Sequence, residues 1–304
     1  MALIAFDGTG NEDKPGEDKD TNVLRFFRAY ARLTDMVDPA RDDWSPAIPR
    51  SLYLEGIGRA AHTFVGDKVA EAFGLGGHSR IRKALDRMEH NLQAGDPIVD
   101  VIGFSRGAAL AVAFANEVAE KYPTVRIRFL GIWDLVAEFG APGKAVNLGY
   151  KLTMPTNVEH CCHAMALDET RVAFDLTRLR GKKDAGTSGP LEVWFRGVHS
   201  DVGGGNDNDT LNGIALNWIF QNAKRCGLPL RESDVLANLA AIKKPGVLSS
   251  HKIDAEIRRR IRDTDVLHAS VVIENGERFN NPGVELSRID DLGTITRPVA
   301  GVGG

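Results

Sequence analysis

Gly95-Asp96-Pro97-Ile98-Val99-Asp100-Val101-Ile102-Gly103-Phe104-Ser105-Arg106-Gly107-Ala108-Ala109 is the stretch on which the fold turns. The Gly-Asp-Pro turn opens onto a short apolar run, Ile98 to Phe104, with the composition of a buried strand. Gly103-Phe104-Ser105-Arg106-Gly107 then fits G-x-S-x-G, the elbow that bends a strand sharply into a helix and leaves its serine at the top of a sheet. Glycine at both flanks lets neighbouring backbone approach without a Cβ clash. Alone, the pattern is weak, since roughly one chain in ten of this length would hold it by chance at ordinary glycine usage. Its setting makes it specific: a buried-type strand precedes it, and Ala108 to Lys121, rich in alanine, reads as a helix that can pack closely on a sheet.

Working outward, other apolar runs bounded by glycine or proline alternate with helical patterns, as in an α/β sheet. Ala2 to Phe6, Ser51 to Leu54, Val125 to Trp133 and Leu191 to Phe195 are the further strands. Asn22 to Thr34, Ser79 to Leu92 (with Ser79 as cap) and Leu211 to Cys226 carry helical apolar spacing. His251 to Arg262 reads as a charged helix, and Val266 to Gly304 as loops with a short strand at Ser270 to Ile273. The expected architecture is α/β-hydrolase-like, a mostly parallel central sheet with helices on both faces. Residues 1–275 form a single catalytic domain in this reading, and 276–304 a tail that is mostly loop.

At 304 residues, 43% hydrophobic and 26% charged, the chain can bury a full core of the ordinary soluble kind. A formal net charge of -3, with no basic stripe, speaks against nucleic acid as a partner. The three cysteines, Cys161, Cys162 and Cys226, do not make a disulfide framework and point to a reducing compartment. Neither a leader pattern nor an apolar run of spanning length is present, so the expectation is synthesis in the cytoplasm, with any export by a signal-independent route. The sequence leaves the oligomeric state open.

A serine needs a base to take its proton, and the base needs a carboxylate to fix its tautomer. His199 is the foremost candidate base. It lies in Gly197-Val198-His199-Ser200-Asp201-Val202-Gly203-Gly204-Gly205, just past a strand end, where parallel sheets place their chemistry; the plain alternative is a histidine capping the next helix. Asp134 follows Leu130-Gly131-Ile132-Trp133, between serine and histidine in chain order. The plain reading of Asp134 is a turn or cap aspartate, and Asp201 is its rival as the acid. For the oxyanion, the amide of Arg106 would be one donor, and Gly8 and Thr9 in the loop after the first strand would supply the other. That loop could equally be only a tight turn. His160 and His163 flank the cysteine pair, but their spacing suits no common zinc motif, so neither a metal nor a cofactor is expected. Asp7-Gly8-Thr9 also begins like an aspartate-phosphatase signature, whose second aspartate is replaced here by Thr9.

Taken together, Phe6-Asp7-Gly8-Thr9-Gly10-Asn11, Gly103-Phe104-Ser105-Arg106-Gly107-Ala108, Gly131-Ile132-Trp133-Asp134 and Trp194-Phe195-Arg196-Gly197 through Gly205 resemble the catalytic domain of the type VI secretion phospholipase effectors. The likeness covers most of residues 1–275, with lesser echoes at Gly74-Leu75-Gly76, Ala166-Leu167-Asp168-Glu169 and Leu267-His268-Ala269-Ser270-Val271. It implies an α/β-hydrolase fold, a triad of Ser105, Asp134 and His199, and hydrolysis of ester bonds, in that family those of membrane phospholipids. Two departures stand out: glycine occupies position 10 where many relatives have tryptophan, and the expectation is a protein without the long C-terminal extension common in membrane-targeting effectors.

The substrate expectation is thus a lipid or phospholipid ester, with peripheral membrane contact. Small soluble esters, and a catalytically silent binding module on a hydrolase scaffold, are the alternatives. Ala60 to Leu75 carries a rough apolar stripe that would serve as a lid, or more plainly as a core-facing helix.

Overall fold

The computed structural model describes residues 2–9, 19–30, 50–57, 67–137, 150–181, 189–242, 258–276, 279–282 and 285–297. In chain order the elements are β1 (Ala2–Phe6), α1 (Asn22–Ala29), β2 (Leu52–Leu54), α2 (Asp67–Gln93), β3 (Ile98–Phe104), α3 (Arg106–Lys121), β4 (Arg126–Trp133), β5 (Thr153–Met154) and β6 (Val158–Ala166). There follow β7 (Arg180–Gly181), β8 (Leu191–Phe195), α4 (His199–Gly203), α5 (Asp209–Arg225), α6 (Glu232–Ala241), β9 (Val266–His268), β10 (Ser287–Ile289) and β11 (Ile295–Thr296), with a 3-10 turn at Val172–Phe174. Nine strands form one sheet in the order β11-β10-β9-β8-β6-β4-β3-β1-β2. Every pairing is parallel except β10 with β11. The fold is α/β, as the alternation of apolar runs and helical patterns implies.

Both faces of the sheet are covered, which parallel strands require. Alternate side chains of β1 divide between two cores: Ile4 and Phe6 join α2 and α3, while Leu3 and Ala5 join α1 and α5. The alanines of α3 (Ala108, Ala109, Ala111, Ala113 and Ala115) are all buried, so this helix lies close against β1 and β3. From β1 the chain steps outward to edge strand β2, then returns to β3 on the other side and continues to β4. Open α/β sheets bind ligands at such a reversal, outside the carboxyl ends of the strands, here β1 and β3.

Several boundaries differ from the sequence expectation. Helix α2 begins at Asp67 rather than Ser79 and runs through Gly76 and Gly77, so Ser79 lies inside the helix and does not cap it. A Cβ on Gly77 would sit 2.3 Å from the Tyr150 hydroxyl, so glycine serves packing there rather than a break. Helix α1 ends at Ala29, with Tyr30 extended and bridged to Leu230; residues 31–34 lie outside the described set. Of the proposed lid, residues 60–66 are likewise outside it, and 67–75 are helical. Arg258 to Arg262 is neither helix nor strand, and the rest of that expected helix falls on undescribed residues. The strand expected at Ser270 to Ile273 is instead β9, three residues in length, because Ser270 turns the chain: its hydroxyl lies 2.7 Å from His268 Nδ1, and the Val271 amide bonds to the His268 carbonyl. Beyond residue 275, β10 and β11 extend the same sheet, with Leu286 and Ile289 buried.

Candidate active site

The carboxyl ends of β3, β4 and β8 converge on one point. After β3, Ser105 adopts φ 58 and ψ -128, a strained conformation for a residue with a Cβ, and α3 starts at the next position. Its amide donates to the Trp133 carbonyl at 3.0 Å, tying the elbow to the end of β4. The flanking glycines are required by contact. A Cβ on Gly103 would come within 2.8 Å of Ala108 Cα, and one on Gly107 within 2.4 Å of the carbonyl oxygens of Phe6 and Asp7. The elbow thus sits directly on the end of β1.

Asp134, the first residue beyond β4, is also left-handed, with φ 42. Its amide donates to the Ala164 carbonyl at 2.8 Å, and Oδ1 accepts the Ala166 amide at 2.8 Å. His199 begins the short helix α4 after β8, and its ring bridges the other two residues. Nδ1 lies 2.6 Å from Asp134 Oδ2, and Nε2 lies 2.9 Å from Ser105 Oγ. An ionised carboxylate only accepts, so Nδ1 holds the proton and Nε2 is left as the acceptor for the serine hydroxyl.

All three residues are buried, and the imidazole is held between two rings, Phe104 at 4.6 Å and Phe174 at 4.5 Å centroid to centroid. Gly203 makes room for one of them, since a Cβ there would fall within 2 Å of the Phe104 ring. Glu169 fixes the backbone, accepting the His199 amide at 3.1 Å while paired with Arg171. Burial alone would raise the Glu169 carboxyl, but the bonds and charge of Arg171 hold it down at about 2.

The acid is not alone either. Arg259 meets Asp134 through both terminal nitrogens, Nη1 on Oδ1 at 2.5 Å and Nη2 on Oδ2 at 2.9 Å. Burial would raise the Asp134 carboxyl; the Arg259 charge and the His199 bond outweigh it and hold it well below the usual carboxylate range. For His199, burial is the largest influence and lowers its pKa below the ordinary value. Asp134 opposes that shift, and the Arg259 charge adds to it.

Asp201, the rival acid, serves the loop. Oδ2 accepts the Val198 amide at 3.1 Å, and Oδ1 accepts Asn206 Nδ2 and Asn208 Nδ2, each at 2.9 Å. Of the expected oxyanion donors, the Gly8 amide donates to Asp7 Oδ1 at 2.6 Å, which turns it away from a substrate. The Thr9 hydroxyl is buried, and Arg106 opens α3 directly after the serine. Strand alternation sends Cys161 and Cys162 to opposite cores, and His163 Nε2 instead accepts the Leu135 amide at 3.2 Å. His160, Cys161, Cys162 and His163 therefore do not converge. Among the described residues, no group of three or more His, Cys, Asp or Glu could hold a metal, and no helix is long and apolar enough to cross a membrane.

Sequence reasoning missed Arg259, Glu169 and Phe174. Glu169 had a faint signal, being inside a stretch that resembles the effectors, whereas Arg259 and Phe174 had none.

A family model described as T6SS, Phospholipase effector Tle1-like, catalytic domain matches residues 2–121 and 114–222, both segments ending before Arg259. A crystal structure of an uncharacterized protein from Pseudomonas aeruginosa has a TM-score of 0.53 and 20% identity, covering 76% of this chain and 46% of its own. The structure of the Tle1 effector bound to the VgrG spike from the type 6 secretion system has a TM-score of 0.46 and 22% identity, covering 68% of this chain and 51% of its own. This chain therefore spans about half the length of those two solved proteins. No curated protein is a significant match.

Proposed function

The chain belongs to the Tle1-like catalytic-domain family of type VI secretion phospholipase effectors, and from that premise we propose that it is a serine esterase acting on lipid esters, phospholipids foremost. One observation carries the reading: an unbroken line of bonds runs from Ser105 Oγ through the His199 ring to Asp134, at 2.9 and 2.6 Å. In the proposed reaction His199 Nε2 takes the hydroxyl proton as Ser105 Oγ attacks the ester carbonyl. Asp134 remains ionised and stabilises the imidazolium. The tetrahedral oxyanion is met by the amides of Arg106 and Thr9. Collapse expels the alcohol, here a lysolipid, with the proton returned from Nε2, and leaves an acyl-Ser105 ester. Water, deprotonated by the same imidazole, then releases the fatty acid and restores the serine.

The family membership supports lipid as the substrate class, and the buried serine, next to an imidazole packed against Phe104 and Phe174, suits an acyl chain better than a charged group. The test is a mixed-lipid extract treated with the wild type and with Ser105→Ala, followed by mass spectrometry. Wild type should release free fatty acid and lysophospholipid, and the variant neither. Equal release by both would remove Ser105 from the reaction. Cleavage of p-nitrophenyl butyrate without any change in the lipids would confine the enzyme to small soluble esters. Failure of a fluorophosphonate to label Ser105 in folded protein would leave a silent binding module.

A further inference from the structure

We infer that Arg259 is a positioning residue of the esterase site, clamping Asp134 and Phe174 in the arrangement that presents His199 to Ser105. The inference rests on the proposed serine mechanism and deepens it. Four bonds define the clamp. Besides both oxygens of Asp134, Arg259 Nη1 reaches the Ala166 carbonyl at 2.6 Å and Nη2 the Phe174 carbonyl at 2.8 Å. One planar group thus ties together the acid, the end of β6 and the turn whose ring covers the imidazole. A rigid fork suits this task, because two parallel bonds fix a carboxylate in rotation as well as in place.

The surrounding chain is organised to deliver that guanidinium. Arg258 and Arg260 are exposed while Arg259 is buried, so the middle one of three successive arginines turns inward. The Arg259 carbonyl accepts Asn280 Nδ2 at 2.9 Å, and three residues on, the Arg262 amide donates to Asp265. Asp265 is itself held by Arg178 and by the Trp194 indole in β8. A second effect is electrostatic. Among the described residues, the charged groups about the imidazole are Asp134, Arg259, Glu169 with its partner Arg171, Asp201 in the same short helix, and Arg106 beside the serine. Arg259 opposes protonation of His199, so losing its charge should raise the imidazole pKa, and catalysis should begin only at higher pH.

The test compares Arg259→Gln and Arg259→Lys with the wild type on p-nitrophenyl butyrate from pH 5 to 9, with thermal melts as the check on folding. Arg259→Gln should lower kcat/KM by about 10²-fold and move the acid limb of its pH profile upward, with partial rescue by added guanidinium. Arg259→Lys keeps the charge without the fork, so its acid limb should stay near that of the wild type while the rate falls. A third readout needs no turnover: the downfield proton resonance of His199 Nδ1 bonded to Asp134 should broaden or vanish in both variants. Should Arg259→Gln not fold, because a lone buried carboxylate is costly, Arg259→Lys carries the test. An unchanged rate and resonance in a folded variant, or an acid limb that Arg259→Gln does not move, would overturn the inference. Loss of the serine mechanism would show separately, as activity retained by Ser105→Ala while the resonance still responded to Arg259.

Discussion

Two fully buried aspartates on neighbouring strands carry nearly the same clamp and do different things. Asp100, inside β3, is met by Arg128 through Nε at 3.0 Å and Nη2 at 2.6 Å, and by the Tyr30 hydroxyl at 2.8 Å. Asp134, just beyond β4, is met by Arg259 through two nitrogens and by His199 through a third. Both carboxylates are neutralised in the same way, so the clamp alone does not make a site. Position and the remaining partner decide it. Asp100 lies within the ladder beside a bulge, where β4 inserts Arg128 between the partners of Val99 and Asp100. Its other partner is a phenol whose pKa burial pushes far above neutrality, so no proton moves. Asp134 lies at a strand end in a left-handed turn, and its partner is an imidazole, which can take and return a proton near neutral pH.

The comparison breaks most sharply if the two aspartates are exchanged for asparagine. Asp134→Asn should lower kcat by about 10⁴-fold, since an amide stabilises the wrong imidazole tautomer. Steady-state kinetics measure it, and a loss of tenfold or less would end the proposed role of Asp134. Asp100→Asn should leave kcat unchanged at temperatures where the protein is folded. It strands Arg128 beside an amide, and breaking such a buried pair costs about 3–5 kcal/mol, or roughly 10 °C in the melting temperature. Calorimetry on that variant would contradict the structural role if the melt stayed within a degree or two of the wild type.

The same contrast explains what the sequence made legible. Strands Ala2–Phe6, Ile98–Phe104 and Leu191–Phe195 were readable to the residue, because apolar runs stop abruptly at glycine, proline or polar residues. Ser105, Asp134 and His199 follow such runs at once or within a few residues, so their candidacy needed only chain order. Arg259 had no comparable mark. Three successive arginines look like a solvated charged face, and only the tertiary setting turns the middle one inward. The strand Val158–Ala166 was equally obscure, since His160, Cys161, Cys162 and His163 interrupt its apolar character, yet each finds a place on one face or the other. Helix α6 gave no warning either: Leu236 and Leu239 are exposed, so its pattern carries little of the one-sided burial from which helices are read. Chain order ranked Asp134 above Asp201 as the acid, but the decision between them depends on a contact across 65 residues.

That choice can be sharpened by a smaller effect. Asp201 accepts one backbone amide and two asparagine side chains, so Asp201→Asn should destabilise by about 1–3 kcal/mol through the glycine-rich loop. The loss in kcat should stay within about tenfold, far below that of Asp134→Asn. A greater loss for Asp201→Asn than for Asp134→Asn would reverse their roles.

The finest distinction between the two clamps is in their response to acid, and it concerns His199 alone. The ring must be neutral to accept the serine proton, so activity falls as pH drops through its pKa. An exposed histidine beside a carboxylate would titrate above the ordinary value, because the negative charge favours the imidazolium. Here burial, with two aromatic rings packed on the imidazole, outweighs Asp134, and the Arg259 charge opposes the carboxylate's pull, so the pKa lies below the ordinary imidazole value. The acid limb of kcat/KM should accordingly have its midpoint under pH 6.5, and Asp100→Asn should leave it in place. A wild-type midpoint at pH 7 or above would mean that Asp134 acts on the imidazole with its full charge, and that its arginine does not temper it as the geometry requires.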